Sequence, residues 1–340
     1  MTIGNNYEMG VNSYVALFKE STYGTYPATV ATGASTIEPL TIGIKTEIES
    51  QKLETISMNR GATKRVQLNK NVSGSMEQYL HPTESPLLMA VCMGGGIVTS
   101  SLTGAYTHSL TAGNFDTTPS SISMMVRKGA TNHWQYTGGR VNQMTISGNV
   151  GEVVKVAYEM IFRDSTQAGT SIVSSLSISS LLPFTYVDGS YRYAATEAAL
   201  TSTASEKITG FELVVNNNMK SDADARGLGS NVIDILPPTR RTVEFKITQR
   251  FDTTTAWNRF VQNTQGSIEL LFQGATITAD NLNSCRIVMP KVFVNTPDPE
   301  VTGPNDLLMS EISFDVLVDN PLTTTGKDIA ITFINDVASY

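Results

Sequence analysis

Histidine and cysteine are nearly missing from this chain of 340 residues, with three of the first and two of the second. His81, His108 and His133 stand apart from one another and from both thiols. None falls in an HExxH pattern or at metal-ligand spacing from a cysteine, so a zinc site has no ligand set. Cys92 and Cys285 lie one in each half, in apolar runs, which reads as two buried free thiols in a reducing cytoplasm rather than a disulfide framework. Charge is also scarce, at 16% of residues, against roughly 25% in an ordinary soluble domain. The net charge is −7 and no basic run occurs, which excludes binding to nucleic acid by phosphate neutralisation. No window approaches the ~18 apolar residues of a membrane span. Met1–Gly10 is polar and has neither the basic nor the apolar region of a signal peptide. A Gly-x-Ser-x-Gly nucleophile elbow is absent as well.

Serine, threonine, glycine and asparagine fill the gap, a mix that suits strands and tight turns. The length is enough for about two domains. The order of segments recurs at roughly half the chain length, which is the mark of a duplicated unit. Around 37–92 an alternating stretch leads through a polar arm to the strand-like Val72–Leu80 and a short helical segment. Around 208–263 the same order returns: Ile208–Val215 alternates, Asn216–Gly229 is polar, Thr242–Phe251 is strand-like and Thr255–Asn263 reads as a helix. The pattern predicts a mainly β chain of two tandem units, each with a short helix and a polar arm. The first unit covers residues 1–164, a Ser/Thr-rich connection 165–205 and the second unit 206–340.

The arm at about 45–71 is long and polar, with Asn59-Arg60-Gly61 near its tip. Such a length without a core is uncommon unless it is functional. It is therefore read as an inter-subunit contact element carrying Lys45, Glu47, Glu49, Lys52, Glu54, Arg60, Lys64 and Arg65. The shorter arm at about 216–230 contributes Asp222, Asp224 and Arg226. The first helix is expected from Pro82 to Met93, capped by Thr83 or Ser85 and ended by Gly94-Gly95-Gly96.

Other candidates for chemistry fail on their spacing. Arg226-Gly227-Leu228-Gly229-Ser230 lacks the lysine of a phosphate loop. Asp222-Ala223-Asp224 opens like a calcium loop, but Ile233 stands where the bidentate glutamate belongs. No catalytic, cofactor or metal residues are assigned and no enzymatic activity is expected. Trp134, Tyr136, Tyr191 and Tyr193 offer an alternative, stacking on sugars in a carbohydrate-binding or adhesin sandwich.

Several segments, taken in order, resemble the major tail tube proteins of long, non-contractile (siphovirus-type) phage tails in their two-unit form. They are Tyr14–Thr25, Gly74–Leu80 running into a helix that ends at Gly94-Gly95, Phe211–Met219, Ile287–Val292 and Ile329–Asn335. The resemblance implies that each unit is a tail-tube-type β-sandwich or barrel flanked by a short α-helix and a protruding hairpin arm, and that the chain is a structural virion protein that stacks as rings into a tube conducting DNA from capsid to host. It implies self-association in trimeric, pseudo-hexameric rings, with hexameric rings as the alternative. It also implies contacts with tape measure, tail terminator and tail tip proteins, transient passage of DNA, no membrane, and assembly in the host cytoplasm. The inner tube of a contractile injection device is a further alternative, disfavoured by the duplication. Both units of a trimer would present lumen strands on which acidic and neutral residues outnumber Lys and Arg.

Overall fold

The computed structural model describes residues 10–27, 35–56, 58–113, 115, 121–129, 132–168, 178–297, 307–320 and 326–340. The first half contains β1 (Tyr14–Lys19), β2 (Ser35–Ile37), β3 (Thr41–Ile42), β4 (Lys45–Lys52), β5 (Arg65–Tyr79), α1 (Ser85–Met93), β6 (Gly94–Leu102), β7 (Ala105–Ala112), β8 (Ile122–Lys128), β9 (Asn132–Asn149), β10 (Lys155–Phe162) and β11 (Asp164–Ala168). The second contains β12 (Gly189–Ala194), β13 (Gly210–Asn216), β14 (Thr242–Arg250), α2 (Thr255–Val261), β15 (Gly266–Thr278), β16 (Asn281–Thr296), β17 (Met309–Val316) and β18 (Ala330–Asn335). The fold is mainly β, as composition and alternation predict, and the strand pairs among the described residues are antiparallel.

One run of strands, β4–β5–β10–β9–β13–β14–β17–β16, crosses from the first half to the second without a break. β3 lies on β5 in line with β4, in the same register. The crossing point is the β9–β13 ladder, from Asn149·Gly210 to Gln143·Asn216. A second seam joins β18 to β7, from Leu110·Ile331 to Tyr106·Asn335.

Pairing in the second half retraces pairing in the first. β1 pairs β8, β8 pairs β9, β9 pairs β10 and β11, β10 pairs β5, and β5 pairs β3 and β4. In the same way β12 pairs β15, β15 pairs β16, β16 pairs β17 and β18, β17 pairs β14, and β14 pairs β13. The irregularities recur too. Register shifts between Ile122 and Met124 on β8 and between Gly266 and Ile268 on β15. It shifts again where Glu159 gives way to Met160 opposite β9, and where Ser313 gives way to Phe314 opposite β16. A bulge re-aims every side chain beyond it, so its recurrence at matching places preserves the same faces in both halves. The stretch 165–205 is not connection alone: β11 and β12 are paired strands at either end of it, and Tyr186–Asp188 forms a 3-10 turn before β12.

The halves share one hydrophobic core. Val156, Tyr158, Met160 and Phe162 of β10 alternate into it, as do Phe211, Leu213 and Val215 of β13 and Val243, Phe245 and Ile247 of β14. Phe245 lies between Phe314, 5.7 Å away, and Tyr191, 6.3 Å away, measured between ring centroids. All nine residues of α1 are buried. Its sequence is apolar on every face, so it needs cover on every side. The β6–β7 hairpin and β9 pack against it, and Asn217 donates to the carbonyl oxygens of Cys92 (2.8 Å) and Val141 (3.0 Å). The helix begins at Ser85, but neither expected cap forms. The Ser85 hydroxyl instead accepts from the backbone N–H of His81 and the side-chain amide of Gln78. Gly94 ends the helix at φ +70°, a conformation that costs glycine nothing. α2 follows β14 as α1 follows β5, but no hairpin stands between it and β15. Trp257, Phe260 and Val261 stay exposed.

Two outcomes are expected. Phe245→Ala should cost about 3–5 kcal/mol, read as a lower denaturation midpoint with an unchanged slope. Burial pushes the Cys92 thiol up to about 12 and raises Cys285 further. Both thiols should therefore resist Ellman's reagent at pH 8 in the native protein and react on unfolding. The sign for stability follows: the folded chain keeps protons that the unfolded chain releases above the ordinary thiol range, so stability falls as pH climbs toward 12.

Candidate assembly interface

The eight-strand run has two unlike faces. Its inner face carries the apolar residues just described. Its outer face is polar, and cross-strand register sets its side chains in rows. One row runs Glu77, Ala157, Thr145, Val214, Glu244, Asp315, and the next runs Tyr79, Lys155, Ser147, Glu212, Lys246, Ser313. A third holds Ser75, Glu159, Gln143, Asn216 and Thr242. None of these residues is buried. With Glu311 beside Thr248 and Lys291 on β16, the face carries, apart from the charges of β4, six carboxylates against the cations Lys155, Lys246, Arg250 and Lys291. Lys155 sits 3.9 Å from Glu77, too loose and exposed to count as more than a weak pair.

At one edge of this face β4 and the start of β5 continue outward as a hairpin. Lys45, Glu47, Glu49, Lys52, Glu54, Arg60, Lys64 and Arg65 are all exposed on it. Side-chain bonds hold its base: Asn69 and Asn71 donate to the two oxygens of Glu49, and Arg65 donates to Ser50. Ile48, Val66 and Leu68 are exposed along it, and Ile56 and Met58 are fully exposed near its end. Apolar side chains left exposed on a projecting hairpin are open to cover by another molecule.

The second polar segment is different. Past β13 the chain folds down, and Met219, Ala225, Ile233 and Leu236 form a small core with Phe115 from the first half. Arg226 donates to the side chain of Asn71 and to the Lys70 carbonyl oxygen, and the Lys70 N–H donates to the Asn231 carbonyl oxygen. Arg140 lies over the rings of Tyr23 and Phe115 and donates to the Leu236 carbonyl oxygen. Arg226 is thus committed within the chain, at the base of the first arm. Asp222 and Asp224 remain exposed, with Asp224 3.3 Å from Lys220. The polar sheet face was the part sequence reasoning did not locate residue by residue. Alternation picks out its strands, but not which of them are neighbours.

Two of the histidines serve as internal braces. His108 is buried and donates from Nε2 to Asn335, and His81 contacts the Leu181 carbonyl oxygen through Nε2. Among the described residues no group of three or more His, Cys, Asp or Glu is placed to hold a metal. Tyr136, Tyr191 and Tyr193 are buried, and Trp134 lies under the Lys128 ammonium at 4.8 Å, so the four aromatics present no sugar-stacking platform.

The sequence profile of the family described as phage tail tube protein matches residues 10–316. The chain belongs to that family, a class of structural proteins of the bacteriophage virion that self-assemble in the tail. No curated protein sequence matches it.

Charge on the polar face gives a direct test. Replacing Glu77, Glu212 and Glu244 together with lysine should leave a folded protein, because none of the three is buried. The variant should shift duplex DNA in a gel at low salt and lose it as salt rises, where the parent shifts none.

Proposed function

We propose that this chain is the major subunit of the tube of a long, non-contractile phage tail. On this reading rings stack into a channel that conducts DNA from capsid to host. The observation that carries it is the eight-strand sheet with one buried face and one polar, carboxylate-rich face. Lining a channel, such a face repels phosphates and lets DNA slide, the reverse of a binding groove. Nothing in this role calls for catalysis.

The chain is read as two units of one fold, β1–β11 and β12–β18, because pairing order and bulges recur. Two units per chain make three chains the natural ring, with six equivalent units around the axis. The arm at 45–71 reaches the neighbouring ring, and its apolar points supply the contact. Tape measure, terminator and tip proteins complete the tail, and assembly takes place in the host cytoplasm.

Purified protein viewed by electron microscopy should form hollow tubes or stacked rings. Discrete particles under all assembly conditions, or specific sugar affinity, would overturn the reading. Deleting Leu53–Gln67 should leave a protein with an unchanged circular dichroism spectrum that no longer polymerises. Normal tubes from that variant would remove the arm from the assembly mechanism.

A further inference from the structure

The helices α1 and α2 take the same place in their halves but are held by different chemistry. Strand pairing aligns the two places residue by residue. Thr41 faces Glu77 as Gly210 faces Thr248. The N–H groups just before them, of Leu40 and Thr209, donate to the carbonyl oxygens of Glu77 and Thr248. Ile37, four residues before Thr41, pairs with Val15 of β1. Glu206, four residues before Gly210, bridges to Tyr191 of β12. Val15 and Leu17 face Val126 and Met124, past the bulge of β8. Tyr191 and Tyr193 face Leu270 and Ile268, past the matching bulge of β15. On the helices, Leu88 lies nine residues beyond Tyr79 and Arg259 nine beyond Arg250, and those two strand ends are counterparts.

Three buried apolar residues of the first half, Ile37, Leu17 and Leu88, thus have Glu206, Tyr193 and Arg259 as their counterparts. In the second half these three make a clamp. Arg259 donates to the Glu206 carboxylate at 3.2 Å, and its guanidinium carbon lies 3.8 Å from the centre of the Tyr193 ring. Little else holds α2. None of its seven residues is buried, Thr254 gives it no side-chain cap, and of its apolar residues only Ala256 packs against the core. So short a helix is not stable in water by itself. Between it and the sheet lies a cleft of about 730 Å³, floored by Tyr191, Phe211, Leu270 and Phe272.

We infer that α2 is a lid on this cleft, closed by the Arg259 clamp, and that it opens when the clamp is screened while the sheet beneath stays folded. The side chains of Arg259 and Glu206 are 23% and 36% exposed, so dissolved ions reach the pair and weaken it. The stack on Tyr193 is electrostatic too, and leaves with the same side chain. Elements with few buried contacts open below the free energy of global unfolding. α1 has no such release, because burial of all its residues holds it and salt does not weaken apolar burial. Opening of α2 adds the aromatic floor of the cleft to Trp257, Phe260 and Val261, which already face solvent. The apolar surface presented by the second half is thereby set by ionic strength.

Hydrogen exchange of the full chain at low protein concentration, read by mass spectrometry of peptides, tests this. Peptides covering 252–264 should exchange faster than those of β14, β15 and α1. Raising salt from about 0.05 M to about 1 M should speed them by up to about fivefold, the ceiling for one exposed pair, and leave the others unchanged. Glu206→Gln should exchange fast at both salt concentrations. Glu206→Ile with Arg259→Leu installs the residues of the first half, and should slow the same peptides and make them indifferent to salt. Peptides of α2 that exchange together with β14 and β15 in the parent would overturn the lid. A salt effect that persists undiminished in Glu206→Gln would overturn the clamp, and with it the inference, even if the double variant failed to fold.

Discussion

Seven consecutive residue pairs, from Gly210·Asn149 to Asn216·Gln143, hold this protein together as one object. Without that ladder β9 and β13 would each present an open edge, and the β18–β7 seam would be the remaining strand junction described between the halves. With it, four strands of the first half and four of the second form one surface, apolar on one side and polar on the other. Ladder hydrogen bonds fix the register, and register decides the face on which every side chain lies. The burial of β13 and the row order of the carboxylates both follow from this constraint.

The two halves diverge where they touch. In the first, the β6–β7 hairpin covers α1 and then pairs with β18. In the second, only a short turn separates α2 from β15, so α2 has no such cover. The segment after β13, the counterpart of the projecting arm, folds down against Phe115 and braces the arm's base through Arg226 and Asn231. The polar segment of the first half thus projects as a hairpin, and that of the second half supports its base.

Buried charge in this protein serves structure. Glu20 accepts hydrogen bonds from Ser121, Ser123 and the backbone N–H groups of Gly24 and Gly138, tying β1 to β8 and the start of the following loop. Glu269, almost wholly buried, is held between Arg192 and Arg286, and Arg241 grips Asp328 with two donors. Each group has its partners in place, as buried ions require, and removing one partner of such a pair typically costs about 3–5 kcal/mol. These groups pin strands and turns in register.

The sequence by itself determined the β class, the helix after Pro82, the recurrence of strand, arm, strand and helix, and the projecting hairpin with Lys45–Arg65 along it. These are local properties. Alternation has period two, glycine stops a helix, and a long polar stretch with scattered apolar points cannot bury itself. Only the tertiary structure decided that Asn216–Ser230 packs against the first half, that Tyr136, Tyr191 and Tyr193 point into the core, and that β11 and β12 stand inside the Ser/Thr-rich middle. It alone decided which strands are neighbours, and hence that Glu77, Glu212 and Glu244, far apart in the chain, share one face. Strand pairing is non-local, and the pattern of a strand names the face it buries but not the strand beside it.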